Sequence, residues 1–224
     1  YLTALLTNTI LTDSAGTNGI ADPGGEATLI LFKSCFTQGA KMTGDPNDPP
    51  LAAGQPNPIY GKSVGDFGDL YTVSNVKGGY RDLLQAFAKR TDKLFVLLTS
   101  PPSDPSTAEA QNMTALRGVN TWLVRKWLQG YPHRNVAVFD LSVTLTSNGG
   151  SPDQNDLGAA GGSHHRLAGG VVAHLVSGNG FLAYPSAGPD DHPTAAGSKK
   201  AAAEFLPLLN VAYHCFAGTG GCPL

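Results

Sequence analysis

The sequence predicts an α/β domain built on a parallel sheet, and three observations lead there. Three short apolar runs, Ala27 to Lys33, Lys93 to Thr99 and Asn135 to Leu141, are nearly continuous rather than alternating, as strands covered on both faces must be. Amphipathic helical patterns follow each of them, giving the order strand, helix, strand, helix, strand, helix. The length of 224 residues and the 41% hydrophobic content suit one domain, 1–224, with a sizeable core and neither internal repeat nor interdomain linker.

Residues 1–26 form an N-terminal segment ahead of the first run. A long irregular stretch, Thr37 to Thr72, separates that run from the first helix, predicted over Asn75 to Arg90 because Val76, Tyr80, Leu83, Leu84 and Phe87 recur at helical spacing. The second helix, Thr107 to Leu128, carries Leu116, Val119, Leu123 and Trp127 on one face, and Trp122 and Trp127 read as core rather than as a sugar-stacking platform. A second irregular stretch, Ser142 to Gly162, follows the third run. Loops this long in a compact domain are usually functional or disordered. Because α/β crossovers deliver loop chemistry to the strands' C-terminal ends, both stretches are expected to rim a site.

After Gly161-Gly162 comes His164-His165, opening an apolar stretch, Leu167 to Leu175, read as a helix with Ser163 as N-cap. Polar groups at a helix start can meet a substrate oxygen. Two adjacent histidines on a helix diverge, which argues against a metal. The last helix is predicted from about Thr194 to Leu206, with a second aliphatic stretch behind it.

Composition narrows the function classes. Only 14% of residues are charged and the net charge is -2, so no nucleic-acid partner is implied. The longest apolar runs, such as Leu94 to Leu98, are too short to span a bilayer, and no signal-peptide pattern is read. No Cys/His spacing supports zinc, and no cofactor motif is found. Of the 3 cysteines, Cys215 and Cys222 bracket the Gly-rich tail 215–224, whose flexibility allows a disulfide, with Cys35 bonded to neither. That pairing favours an oxidising, extracellular setting. Asn112-Met113-Thr114 matches a glycosylation sequon inside a predicted helix. The start at Tyr1 rather than Met reads as a processed, excised or incompletely represented end.

The stretch richest in chemistry is Asp190-Asp191-His192-Pro193-Thr194-Ala195-Ala196-Gly197. A histidine held at the lip of a helix by a proline turn, with carboxylates one and two residues away, is placed to act as an oriented general base. The plainer reading is a solvated Asp-Asp turn whose proline opens a helix.

Together with Tyr184-Pro185-Ser186, this stretch resembles the last sequence block of SGNH (GDSL-type) hydrolases. Phe32-Lys33-Ser34-Cys35-Phe36, Leu98-Thr99-Ser100-Pro101-Pro102 and Val138-Phe139-Asp140 similarly look like later strand ends of a bacterial branch of that family. The resemblance runs in order from Ala27 to about Tyr213. It implies a three-layer αβα, flavodoxin-like sandwich that lacks its first strands here, and hydrolysis of small-molecule or carbohydrate acyl esters, or those of lipids, without a cofactor. His192 would be the base and Asp190 or Asp191 the orienting carboxylate. The family's own position, three before the histidine, is Pro189 here. Ser34 and Gln38 fall among oxyanion-hole positions.

In the family the nucleophilic serine precedes the strand that Ala27 to Lys33 resembles, and Tyr1 to Glu26 holds neither Gly-Asp-Ser nor His-His-Ser. Three readings stay open. The nucleophile lies on a missing N-terminal piece or a partner chain; an internal serine serves; or the chain is an inactive carbohydrate-binding or structural relative. Ser63, in Gly61-Lys62-Ser63-Val64-Gly65, matches the Gly-x-Ser-x-Gly elbow, and with Asp140 and His192 it gives the α/β-hydrolase order. The elbow needs a strand before it and a helix after it. Pro56-Asn57-Pro58 and Asp66-Phe67-Gly68-Asp69 flank it instead, which reads as a chance loop match.

Overall fold

A computed structural model of the chain describes residues 10–12, 19–21, 27–33, 41–62, 66–103, 113–146, 164–174 and 192–224. Its centre is a parallel sheet of β3 (Leu29–Lys33), β4 (Leu94–Leu98) and β5 (Val136–Phe139), in that order, with Leu29 opposite Leu94 and Phe95 opposite Val136. These are the three runs read from the sequence. Their continuous apolar character has the expected cause, since all four residues of β5 and four of the five in β4 are buried. Two antiparallel pairs stand apart from this sheet. They are β1 (Ile10–Thr12) with β2 (Gly19–Ala21), and β6 (His165–Ala168) with β7 (Val171–His174). Among the described residues β3 has no second neighbour in the sheet.

Helices pack against the sheet through its alternating side chains. Ile30, Phe95, Leu97, Val136 and Val138 point to the side of α1 (Val73–Phe87) and α2 (Met113–Arg125), where they pack with Val76, Phe87, Leu116, Val119 and Leu123. The intervening Leu94, Val96, Ala137 and Phe139 point the other way. They meet the short α3 (Leu141–Leu145) and the long α4 (Ala195–Ala217) through Leu141, Leu145, Leu208 and Ala212. Helix α1 begins two residues before the predicted Asn75 because the Thr72 hydroxyl accepts the Asn75 N–H at 3.2 Å.

Three expectations are corrected. The stretch after β5 is not irregular throughout, because Asp140 caps a turn of helix at Leu141–Leu145. The apolar stretch after His164-His165 is a β-hairpin rather than a helix. Gly169 and Gly170 have φ of 60° and 83°, the paired positive values that a two-residue hairpin turn requires and that side chains resist. The proposed cap Ser163 lies outside the described residues. The final helix does not stop at Leu206 but runs through Pro207 to Ala217. Proline removes one donor and crowds the preceding turn, but Leu208 and Ala212 beyond it are buried against the sheet, and that burial favours continuation.

Candidate functional site

The strands are parallel, so the residues that follow β4 and β5 share one edge of the sheet. Thr99 and Ser100 follow β4 and Asp140 follows β5, and all three are buried. Ser100 is fixed by Asn120 of α2, whose amide accepts the Ser100 N–H at 3.2 Å and donates to its carbonyl at 2.8 Å. Thr99 Oγ1 donates to Asp140 Oδ1 at 2.9 Å and itself accepts the Ser142 N–H at 3.0 Å. The same carboxylate oxygen accepts the Val143 N–H at 3.3 Å, as an N-cap does. Burial pushes the Asp140 carboxyl above the usual range, and the nearby histidines and these hydrogen bonds only partly oppose it.

The β6–β7 hairpin brings two histidines to this edge. Asp140 N–H donates to His165 Nε2 at 2.8 Å, so that nitrogen carries the lone pair and Nδ1 the hydrogen. His165 Nδ1 lies 3.0 Å from Glu204 Oε2 and His164 Nδ1 lies 3.1 Å from Glu204 Oε1. The backbone N–H of His164 donates to Glu204 Oε2 at 2.9 Å and that of His165 at 3.4 Å. One buried carboxylate on α4 thus receives four donors from two consecutive residues. Burial pushes the Glu204 carboxyl up, but the hydrogen bonds from the two histidines, joined by their charge whenever the rings are protonated, outweigh it and hold the group at about 2. Phe139 stacks on the His165 ring with centroids 4.6 Å apart. His164 is 1% exposed, and among the described residues its Nε2 has no hydrogen-bond partner. Glu204 thus orients that imidazole through Nδ1.

His164 and His165 therefore do not diverge as helix neighbours would. On an extended strand their rings would also alternate, but His164 precedes β6 and the carboxylate spans both. The sequence reading did not single out Glu204. Its signal is that of a lone acid in the apolar run Ala201-Ala202-Ala203-Glu204-Phe205-Leu206.

His192 is exposed and stands two residues ahead of Thr194, whose hydroxyl accepts the Gly197 N–H at 3.4 Å to cap α4. Phe205 packs against Phe139, and Ala212 packs against Leu94 and Val96. Helix α4 thus runs against the strand direction, and its N-terminal end lies toward the edge formed by Thr99 and Asp140. Thr194 and Glu204 are separated by ~15 Å along the axis at 1.5 Å per residue, which keeps His192 and the buried histidine pair apart. Asp190, Asp191, Ser34, Gln38, Cys35 and Ser63 lie outside the described residues. Turns rather than a strand lead from Pro56 to Lys62, so the strand an elbow serine needs is absent there. Asp140, the acid of that same α/β-hydrolase reading, is engaged by Thr99 and Val143. Among the described residues no cluster of His, Cys, Asp and Glu suits a metal ion, and no helix is long and apolar enough to cross a membrane.

Cys215 and Cys222 are joined by a disulfide, as their spacing suggested. Comparison of the chain with family models, curated proteins and solved structures finds no match.

Proposed function

We propose that this chain is an SGNH-type serine ester hydrolase domain acting on acyl esters of carbohydrates or lipids, with helices and sheet in the three-layer, flavodoxin-like order of that family. The observation that carries the reading is the position of His192, exposed at the N-terminal lip of α4 and toward the C-terminal edge of a parallel sheet, where α/β sheets collect their ligands. His192 would take the proton of an attacking serine, Asp190 or Asp191 would orient its ring, and Ser34 and Gln38 would contribute to the oxyanion hole. The serine would come from a block upstream of β3, on a further piece or a partner chain. Among the described residues β3 has no second neighbour in the sheet, and an unpaired strand edge is what an additional strand would cover. The disulfide supports an extracellular, oxidising setting. A second reading, an inactive carbohydrate-binding or structural relative, draws on the buried Glu204 network, which is nearly self-satisfied.

p-Nitrophenyl acetate turnover tests the proposal. The chain alone is expected to match its His192→Ala variant. Joined to the serine-bearing first block of an SGNH hydrolase, it should gain a rate that His192→Ala lowers by roughly a thousandfold or more. No such gain would reject the esterase reading. Turnover by the chain alone that His192→Ala and either Ser34→Ala or Ser63→Ala abolish would move the nucleophile inside.

A further inference from the structure

The end of α4 is complete without the disulfide. Gly218 adopts φ of 68°, its N–H donates to the Cys215 carbonyl at 3.3 Å, and the Thr219 N–H donates to the His214 carbonyl at 3.1 Å. That pair of bonds is a full Schellman termination. What the bridge adds lies further on. Cys215 is buried and Cys222 is exposed, and joining them turns the tail back toward the hairpin. There the Val172 N–H donates to the Pro223 carbonyl at 2.6 Å. In a two-residue hairpin the Leu167–Val172 pair exchanges no bonds across the ladder, so the Val172 N–H faces outward and is open to such an acceptor. The hairpin is thus tied to α4 twice, by Glu204 holding His164 and His165, and by Pro223 through the disulfide. Val172 also packs on the cluster of Phe139, Leu141 and Leu208.

We propose that the Cys215–Cys222 bridge is the latch of a redox-sensitive clasp, which when closed seats the tail against β7 and holds the His164–His165 hairpin on α4. Opening it needs a dithiol reductant. A reductant thiolate attacks the sulfur of exposed Cys222, and Cys215 departs as a thiolate that takes a proton. The second reductant thiol then closes the reductant's own disulfide and releases Cys222 as a thiol. Two electrons pass to the protein and the reductant is oxidised. Pro223 then leaves β7 and Val172 loses its acceptor, while the Schellman bonds of α4 stay.

Amide hydrogen exchange read residue by residue tests this on the oxidised protein, on the protein reduced with dithiothreitol, and on Cys222→Ser. Protection of the Val172 amide is expected to fall about tenfold in both opened forms, and that of Thr219 to stay unchanged. Reoxidation of the reduced protein should restore Val172. Unchanged Val172 protection with the bridge open would overturn the proposal. So would equal losses at Val172 and Thr219, because the bridge would then serve only to end the helix.

Discussion

The two faces of the sheet handle buried polarity in different ways. On the α1–α2 side, several buried polar groups bind backbone. Lys77 Nζ donates to the Pro46 and Asp48 carbonyls at 2.9 and 2.7 Å, Asn57 to the Asn75 carbonyl at 2.7 Å, and Trp127 to the Tyr80 carbonyl at 2.8 Å. They fasten the irregular stretch 41–62 and the helix ends to the core, so that part of the expected rim packs along α1 and α2. On the α4 side they bind one another as well as backbone, in Thr99–Asp140 and His164–Glu204–His165. Side-chain pairs make up only about 10–15% of protein hydrogen bonds, and at this edge three of them join buried side chains into one constellation. Lys77 is as buried as Glu204, and burial lowers its pKa. Burial of a charge does not by itself announce a site; the kind of partner does.

The strongest way to break this contrast is Glu204→Ala. It strips four donors of their common acceptor and should cost ~3–5 kcal/mol in denaturant unfolding, in the range of a broken buried pair. Glu204 also carries a pH signature. Its folded value of about 2 lies below the ordinary 4.5, so its stabilisation is present above 4.5 and drains as pH falls toward 2. Fully developed it is about 3 kcal/mol. Asp140, raised by burial, works in the opposite sense. The difference between the native protein and Glu204→Gln therefore isolates the term, and a difference that does not shrink on acidification would refute it.

Gly118→Ala probes the other face. A Cβ there would collide with the Pro46 Cβ and lie 2.5 Å from its carbonyl oxygen, so loop or helix must move. A loss of ~1–3 kcal/mol is expected from such overpacking, read as a lower denaturation midpoint. Lys77→Met should cost somewhat less, ~1–2 kcal/mol, since it leaves two carbonyls unmet but fills the same space with an apolar chain. If Lys77→Met proved as costly as Glu204→Ala, the distinction between fastening and constellation would fail.

The sequence by itself determined the three parallel strands, the helices between them and the pairing of Cys215 with Cys222. Each is written in a local feature: an unbroken apolar run, a 3.6-residue period, two thiols on a glycine-rich tail. The Gly169-Gly170 hairpin was also locally signalled, between His165-Arg166-Leu167-Ala168 and Val171-Val172-Ala173-His174, but the apolar residues beside it fitted a buried helix equally well by pattern. Only the tertiary structure decided what the histidines there do. Their partner, Glu204, is 40 residues from His164 in the chain. A carboxylate in an alanine-rich helix carries no mark of whether it will meet solvent or two imidazoles. That depends on the face α4 turns to the sheet, which is set by Phe205, Leu208 and Ala212 packing on residues far away in the chain.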